Sequence, residues 1–221
     1  MGEPATWQRN VEEFVLDQIY DHPSRVLEVG CGEGELARAL ARAGHSVTAI
    51  DPQTPEGPIF RRARIEEFSD PTWFDHIVAI LSLHHVEDLG RALDKMANLL
   101  RDGGTLMVVE FAWDRIDEAT ARWALERLPG ASSEGHSWLE RCCRGERGAT
   151  EWAERGFHGS GRMRDELRRR FAERHFEWAP YLYPDLDEDV SEADEMAAIE
   201  SGTINATGFR YVGTKRASSA L

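Results

Sequence analysis

The stretch between Arg25 and Asp51 restricts the fold more than any other part of the chain. A short apolar run, Arg25-Val26-Leu27-Glu28-Val29, stops at three glycines in alternate positions, Gly30, Gly32 and Gly34. Leu36, Ala39, Leu40 and Ala43 then recur at helical spacing up to Gly44, and glycine is the usual residue just past a helix end. A second apolar run, Ser46-Val47-Thr48-Ala49-Ile50, closes on Asp51. Strand, glycine turn, helix and strand make a βαβ unit. Its strands must be parallel and its crossover right-handed, which commits the chain to an α/β sheet.

The alternation continues downstream. The apolar run over 74–83 reads as a buried strand, Leu89, Leu93, Met96, Ala97 and Leu100 mark a helix ending before Gly103-Gly104, and 105–111 reads as another buried strand. An amphipathic helix with Val11, Phe14, Val15 and Gln18 is expected over 8–20. From about 112 to 161 the pattern changes to helices without strands. A helix over 162–174 turns Met163, Leu167 and Phe171 inward, and 177–183 and 208–213 read as a late antiparallel pair. There are no repeats and no linker, so the expectation is one α/β domain over 1–221 with a helical insertion.

Charge narrows the class of partner. The 221 residues carry 26 Lys and Arg against 40 Asp and Glu, a net charge of −14. Proteins that grip nucleic acid usually show a basic excess, so nucleic acid is not expected as a partner. The arginines at 162, 164, 168, 169, 170 and 174 have acids at 165, 166 and 173 beside them, which favours local ion pairs over RNA contact. No apolar run approaches a membrane span, and the first residues do not resemble a secretory leader. With three cysteines, Cys31, Cys142 and Cys143, a cytoplasmic protein without disulfides is expected. No metal is expected, since Cys142-Cys143 lacks ligand spacing. The acidic run Asp185, Asp187, Glu188, Asp189, Glu192, Asp194, Glu195 has Val190 and Met196 where a calcium loop needs glycine and glutamate. It reads as a solvated loop and helix start.

The loop itself suggests a ligand. Glycines between strand and helix allow positive φ and let a ligand touch the backbone. A dinucleotide fingerprint would need glycine where Glu35 stands. Glu28 lies at the end of a strand expected to be buried, where a carboxylate without a partner is costly. A phosphate would aggravate that cost, and an ammonium, such as that of S-adenosylmethionine (SAM), would relieve it. Asp51 is placed to accept both hydroxyls of a ribose, or to cap the turn before Pro52.

On these residues the chain resembles the class I SAM-dependent methyltransferases. Val26 to Gly34 followed by Val47 to Asp51 look like the first two signature motifs of that family. Phe74-Asp75-His76-Ile77-Val78-Ala79-Ile80-Leu81-Ser82-Leu83-His84-His85-Val86 resembles its fourth strand and motif, and Leu99 to Leu106 its junction into the fifth strand. The resemblance implies a Rossmann-like, mostly parallel seven-stranded sheet with its last strand antiparallel and helices on both faces. It also implies a SAM site, yielding S-adenosylhomocysteine (SAH), formed by Glu28, Gly30, Cys31, Gly32, Gly34, Asp51, Pro52, Gln53, Arg64, Ile65, Glu66, Leu81 and Ser82. One departure is visible: many relatives place an aspartate for the adenine amino group where Arg64 stands, leaving Ile65 to pack on the base and Glu66 to meet its edge.

The acceptor is less legible. His85, at the C-terminal end of the fourth strand, is the candidate general base, with His84 beside it. Leu81-Ser82-Leu83-His84 lacks the Asn/Asp-Pro-Pro-Tyr/Phe pattern of enzymes that methylate base amines. Residues 113–160 are expected to form a helical lid, with Trp123, Trp138, Trp152, His136 and His158 either clamping a flat molecule or packing the lid's own core. Tyr181 and Tyr183 are further lining candidates. The expected function is methyl transfer to a small-molecule acceptor by a monomer or homodimer without membrane contact. The alternatives are a tRNA or protein methyltransferase and a SAM-binding protein without catalysis, with a nicotinamide oxidoreductase more distant.

Overall fold

A computed structural model describes residues 6–19, 23–128, 134–145, 152–187 and 189–216. Seven strands form one sheet: β1 (Arg25–Val29), β2 (Ser46–Asp51), β3 (Phe60–Arg62), β4 (Phe74–Ile80), β5 (Leu100–Phe111), β6 (Phe171–Ala179) and β7 (Gly208–Lys215). Their order is β3-β2-β1-β4-β5-β7-β6. The first five pair in parallel, and β7 runs antiparallel between β5 and β6. This is the mostly parallel, seven-stranded arrangement expected from the motifs.

Strand periodicity decides which face each side chain serves. Leu27, Val29, Ile77, Ala79, Leu106 and Val108 enter one core with Leu89, Leu93 and Met96 of α3 (Leu89–Leu99) and Met163 and Leu167 of the helix Ser160–Arg170. Val26, Val78 and Met107 face the other way. They pack on Val15 of α1 (Thr6–Asp17) and on Ala37 and Leu40 of α2 (Glu35–Arg42). Helices therefore cover both faces, and Glu28, in phase with Val26, points to the α1–α2 side.

A third apolar cluster sits outside these two. It joins α4 (Glu118–Leu125) and α5 (Glu134–Cys143) to Phe111, Trp113, Leu182, Leu186 and Ile204. Trp123 and Trp138 are 9% and 8% exposed within it, and Trp152 packs against it. Of the two roles weighed for these tryptophans, the packing role is the one the structure shows. The side chain of His136, like residues 129–133 and 146–151, lies outside what the structure describes.

Three expectations need correction. The helix before β6 ends at Arg170 and Phe171 opens the strand, so the strand occupies Phe171–Ala179 rather than 177–183. Phe171 lies four residues after Leu167, a spacing that suits a helix face, yet it is also the first inward position of the strand. Gly103-Gly104 does not separate helix from strand, because β5 starts at Leu100 and runs through both glycines. Glu195, assigned to a solvated acidic run, is fully buried in α7 (Glu192–Glu200) and accepts backbone hydrogen bonds from Tyr181, Leu182 and Tyr183 at 2.9, 3.2 and 2.8 Å. The arginine helix Ser160–Arg170, here α6, behaves as expected. Arg168 pairs with Glu173 at 2.8 Å, and Arg170 pairs with Asp94 and Glu166.

Candidate donor and acceptor site

The glycine loop connects β1 to α2 in a backbone form that only glycine adopts without strain. Gly30, Gly32 and Gly34 have φ of 77°, 47° and 76°. The loop is also tightly packed. A Cβ on Gly30 would lie 2.3 Å from Cβ of Ser82, and one on Gly34 would lie 2.3 Å from the Phe60 ring. Backbone N–H groups of Gly30 and Cys31 donate to the carbonyl of Ile50 at 2.8 and 3.2 Å, which ties the loop to the end of β2. Asp51 completes the tie. One carboxylate oxygen accepts from Gly32 N–H at 3.2 Å and the other from Gln53 N–H at 2.8 Å.

Glu28 is 4% exposed. It accepts a hydrogen bond from the backbone N–H of Ala37, while its Oε2 is buried with no hydrogen-bond partner. Burial pushes its pKa up to about 8, with the Ala37 bond opposing and Asp51 adding to the rise. Ser82 Oγ, across the loop, is likewise buried and unpartnered. Native interiors leave few such atoms, and two beside one glycine loop point to a polar ligand. A cationic group at Glu28 Oε2 would supply the missing donor and return the carboxyl to its charged form, so these residues fit the methionyl ammonium of SAM.

Two cavities meet at the loop. The first, of about 260 Å³, is walled by Gly30, Asp51, Pro52, Arg64, Ile65, Glu66, Leu81, Ser82 and His85. Most of the residues expected to hold the nucleoside half are thus brought together, with Val86 and Glu87 added. The second, of about 610 Å³, holds Glu28, Cys31, Gly32 and Gly34 on one side and Trp7, Gln8, Val11 and Glu12 of α1 on the other. Only Gly30 and Leu81 line both. Leu81 is also the one non-glycine residue with positive φ, 49°, among the described residues. Such strain concentrates at functional sites.

Some expected residues stand elsewhere. Gln53 lines neither cavity and serves through its backbone N–H. Tyr181 stacks on Phe111 at 4.4 Å and Tyr183 is 7% exposed, and both lie away from the two cavities. Cys31 lines the larger cavity, but burial pushes its thiol up to about 11, so it stays protonated and is no nucleophile. His85 lies on the wall of the smaller cavity, its pKa lowered by burial and by His84, with Glu110 opposing. The α1 residues were not anticipated. Their helix was legible from its period, but nothing in a single sequence says which element its polar side covers.

A family model described as a methyltransferase domain matches residues 3–178. An uncharacterized methyltransferase of Mycobacterium tuberculosis is 36% identical over 128 residues, which cover 50% of this chain and 62% of that protein. A ubiquinone biosynthesis O-methyltransferase of Xylella fastidiosa is 41% identical over 111 residues, 43% of this chain and 45% of that one. The chain therefore spans about half the length of these curated relatives. Among solved structures, the N-methyltransferase NodS of Bradyrhizobium japonicum, in complex with SAH, superposes with a TM-score of 0.56 at 18% identity, covering 96% of this chain and 88% of that one. With the family model covering most of its length and the fold shared, the chain belongs to the methyltransferase-domain family and has the class I, SAM-dependent architecture.

Proposed function

We propose that this protein transfers a methyl group from SAM to a small-molecule acceptor. The observation that carries the reading is the unpartnered Oε2 of Glu28, buried beside the glycine loop on the side of the larger cavity. SAM supplies a methyl already activated on a sulfonium, so the protein's part is chiefly to position and to exclude water. Glu28 would hold the ammonium and Asp51 the ribose hydroxyls. Ile65 and Glu66 would meet the adenine, with Arg64 at the rim. Leu81 and Ser82 would form the wall nearest the sulfur, and Cys31, Gly32 and Gly34 the floor under the methionyl chain. The larger cavity would take the acceptor beneath α1, within one domain over 1–221; no described residue of 113–160 lines either cavity. His85 enters as a donor-wall residue and as the base candidate expected from sequence.

The charge of −14 supports a small acceptor over RNA. Among the described residues no helix is long and apolar enough to cross a membrane. The reading includes a cytoplasmic monomer or homodimer. Titration calorimetry with SAM, SAH and NAD tests the donor. SAM and SAH should bind and NAD should not; heat with NAD alone would end the proposal. Labelled SAM incubated with a metabolite extract then tests the acceptor, and label entering RNA or protein instead would favour a macromolecular substrate.

A further inference from the structure

His85 and Val86, on the wall of the smaller cavity, close the short turn Leu83–His85 that follows β4. The turn's own hydrogen bonds are long. His85 N–H donates to the Ser82 carbonyl at 3.2 Å, and Val86 N–H to the Leu83 carbonyl at 3.4 Å. The carbonyls on either side of His85 are both taken by one residue distant in sequence, His158. Its backbone N–H donates to the His84 carbonyl at 3.1 Å, and its side-chain Nε2 lies 2.8 Å from the Val86 carbonyl. A carbonyl only accepts, so Nε2 carries the hydrogen. His158 is buried, and it is itself fixed from the end of β5. Trp113 Nε1–H donates to its carbonyl at 3.1 Å, and Asp114 accepts from the backbone N–H and the hydroxyl of Ser160 at 2.9 and 3.1 Å.

The backbone bond to the His84 carbonyl would by itself fasten the two segments. The side-chain bond adds a second point beyond His85, and two points flanking a residue fix its direction as well as its place. Phe157, just before His158, meets the His85 ring edge-on at 4.7 Å and packs on the third apolar cluster. Neither Phe157 nor His158 lines a cavity, so any effect of His158 on a ligand passes through His85 and Val86. Close packing forfeits contact energy over fractions of an ångström, and a wall left to its own long bonds is free to shift by that much. We propose that His158 is a positioning residue for donor binding. By holding the two carbonyls that flank His85, it sets the wall against which the nucleoside half of SAM lies. The anchorage of the helical cluster thereby becomes part of the donor site.

The inference rests on the methyltransferase reading above, and the experiment separates the two. His158→Gln keeps an N–H donor at a similar reach, whereas His158→Met keeps the length and removes the donor. In calorimetric titrations of the folded full chain, His158→Gln should bind SAH within about threefold of the parent and His158→Met about tenfold more weakly, the size of one buried hydrogen bond. Glu195→Ala, whose hydrogen bonds lie away from both cavities, should lower Tm yet keep SAH affinity within about threefold, as distant sites act independently. In the parent with 15N-labelled histidine, long-range 1H–15N spectra should place the His158 hydrogen on Nε2. SAH should slow the exchange of that hydrogen with solvent, because coupling between two sites is reciprocal. A hydrogen on Nδ1, or exchange indifferent to SAH, overturns the proposal. So does His158→Met binding SAH as the parent does, or His158→Gln losing as much affinity as His158→Met. An equal loss in Glu195→Ala overturns it too, since lost stability would then explain both. Should His158→Met fail to fold, the parent's tautomer and exchange still decide. Failure of the parent to bind SAH overturns the methyltransferase reading instead.

Discussion

Glu28 of β1 and Gly30 of the loop carry measurable consequences. Burial raises the Glu28 pKa to about 8, so between the ordinary carboxylate value and pH 8 the folded chain holds a proton that the unfolded chain releases. Its share of ligand-free stability therefore declines as pH rises through that window. An ammonium ligand needs the charged carboxylate, so affinity moves the other way. From pH 6 to 7.5, where the amine stays protonated, SAH should bind more tightly with rising pH, by at most about tenfold per unit. Glu28→Gln should flatten that slope in calorimetric titrations, and an unchanged slope would place the linked proton elsewhere. Gly30→Ala acts by shape. Its Cβ would lie 2.3 Å from that of Ser82 at a φ of 77°, so about 1–3 kcal/mol of strain and a large loss of SAH affinity are expected. Part of that affinity should return in Gly30→Ala/Ser82→Gly, since removing the Ser82 side chain removes the collision but not the φ penalty.

At the scale of elements, buried carboxylates staple the chain where strands give way to other structure. Glu195 of α7 holds the three N–H groups of Tyr181, Leu182 and Tyr183, and Glu110 holds the turn after β4. Glu195→Ala would leave those donors unsatisfied in the interior. A loss of about 2–4 kcal/mol is expected, read as a Tm drop of about 4–16 °C for a chain of this size; a change under a degree would show that water replaces the carboxylate. These staples explain what a single sequence hides. β1, α2 and β2 were legible because period, glycines and Asp51 all agree over 25–51. Glu195 was not, because it stands among Glu192, Asp194 and Glu200, and its burial depends on a neighbour 12 to 14 residues away. The start of β6 was missed because Phe171 satisfies helical and strand spacing at once. Asp51 and Glu28 were singled out from position alone, and the structure brings both to the glycine loop, while the Trp7–Glu12 side of the larger cavity depends on how α1 docks.

At the scale of the molecule, charge and donor binding give separable expectations. A ligand that binds only the folded state stabilises it by about 2.7 kcal/mol at one hundred times its Kd, so SAH at that excess should raise Tm by about 5–11 °C, and NAD at equal concentration should not. The surface decides the other question. With 40 acids against 26 bases, and with Arg164, Arg168, Arg169 and Arg170 of α6 paired to Glu166, Glu173 and Asp94, the most basic helix presents little free charge to phosphate. Non-specific affinity for RNA comes from such free charge and falls steeply with salt. At physiological ionic strength the protein should therefore leave the gel mobility of bulk tRNA unchanged at concentrations where SAH saturates it. A shift surviving physiological salt would mean that the acidic average conceals a basic face, and the acceptor would have to be sought among RNAs.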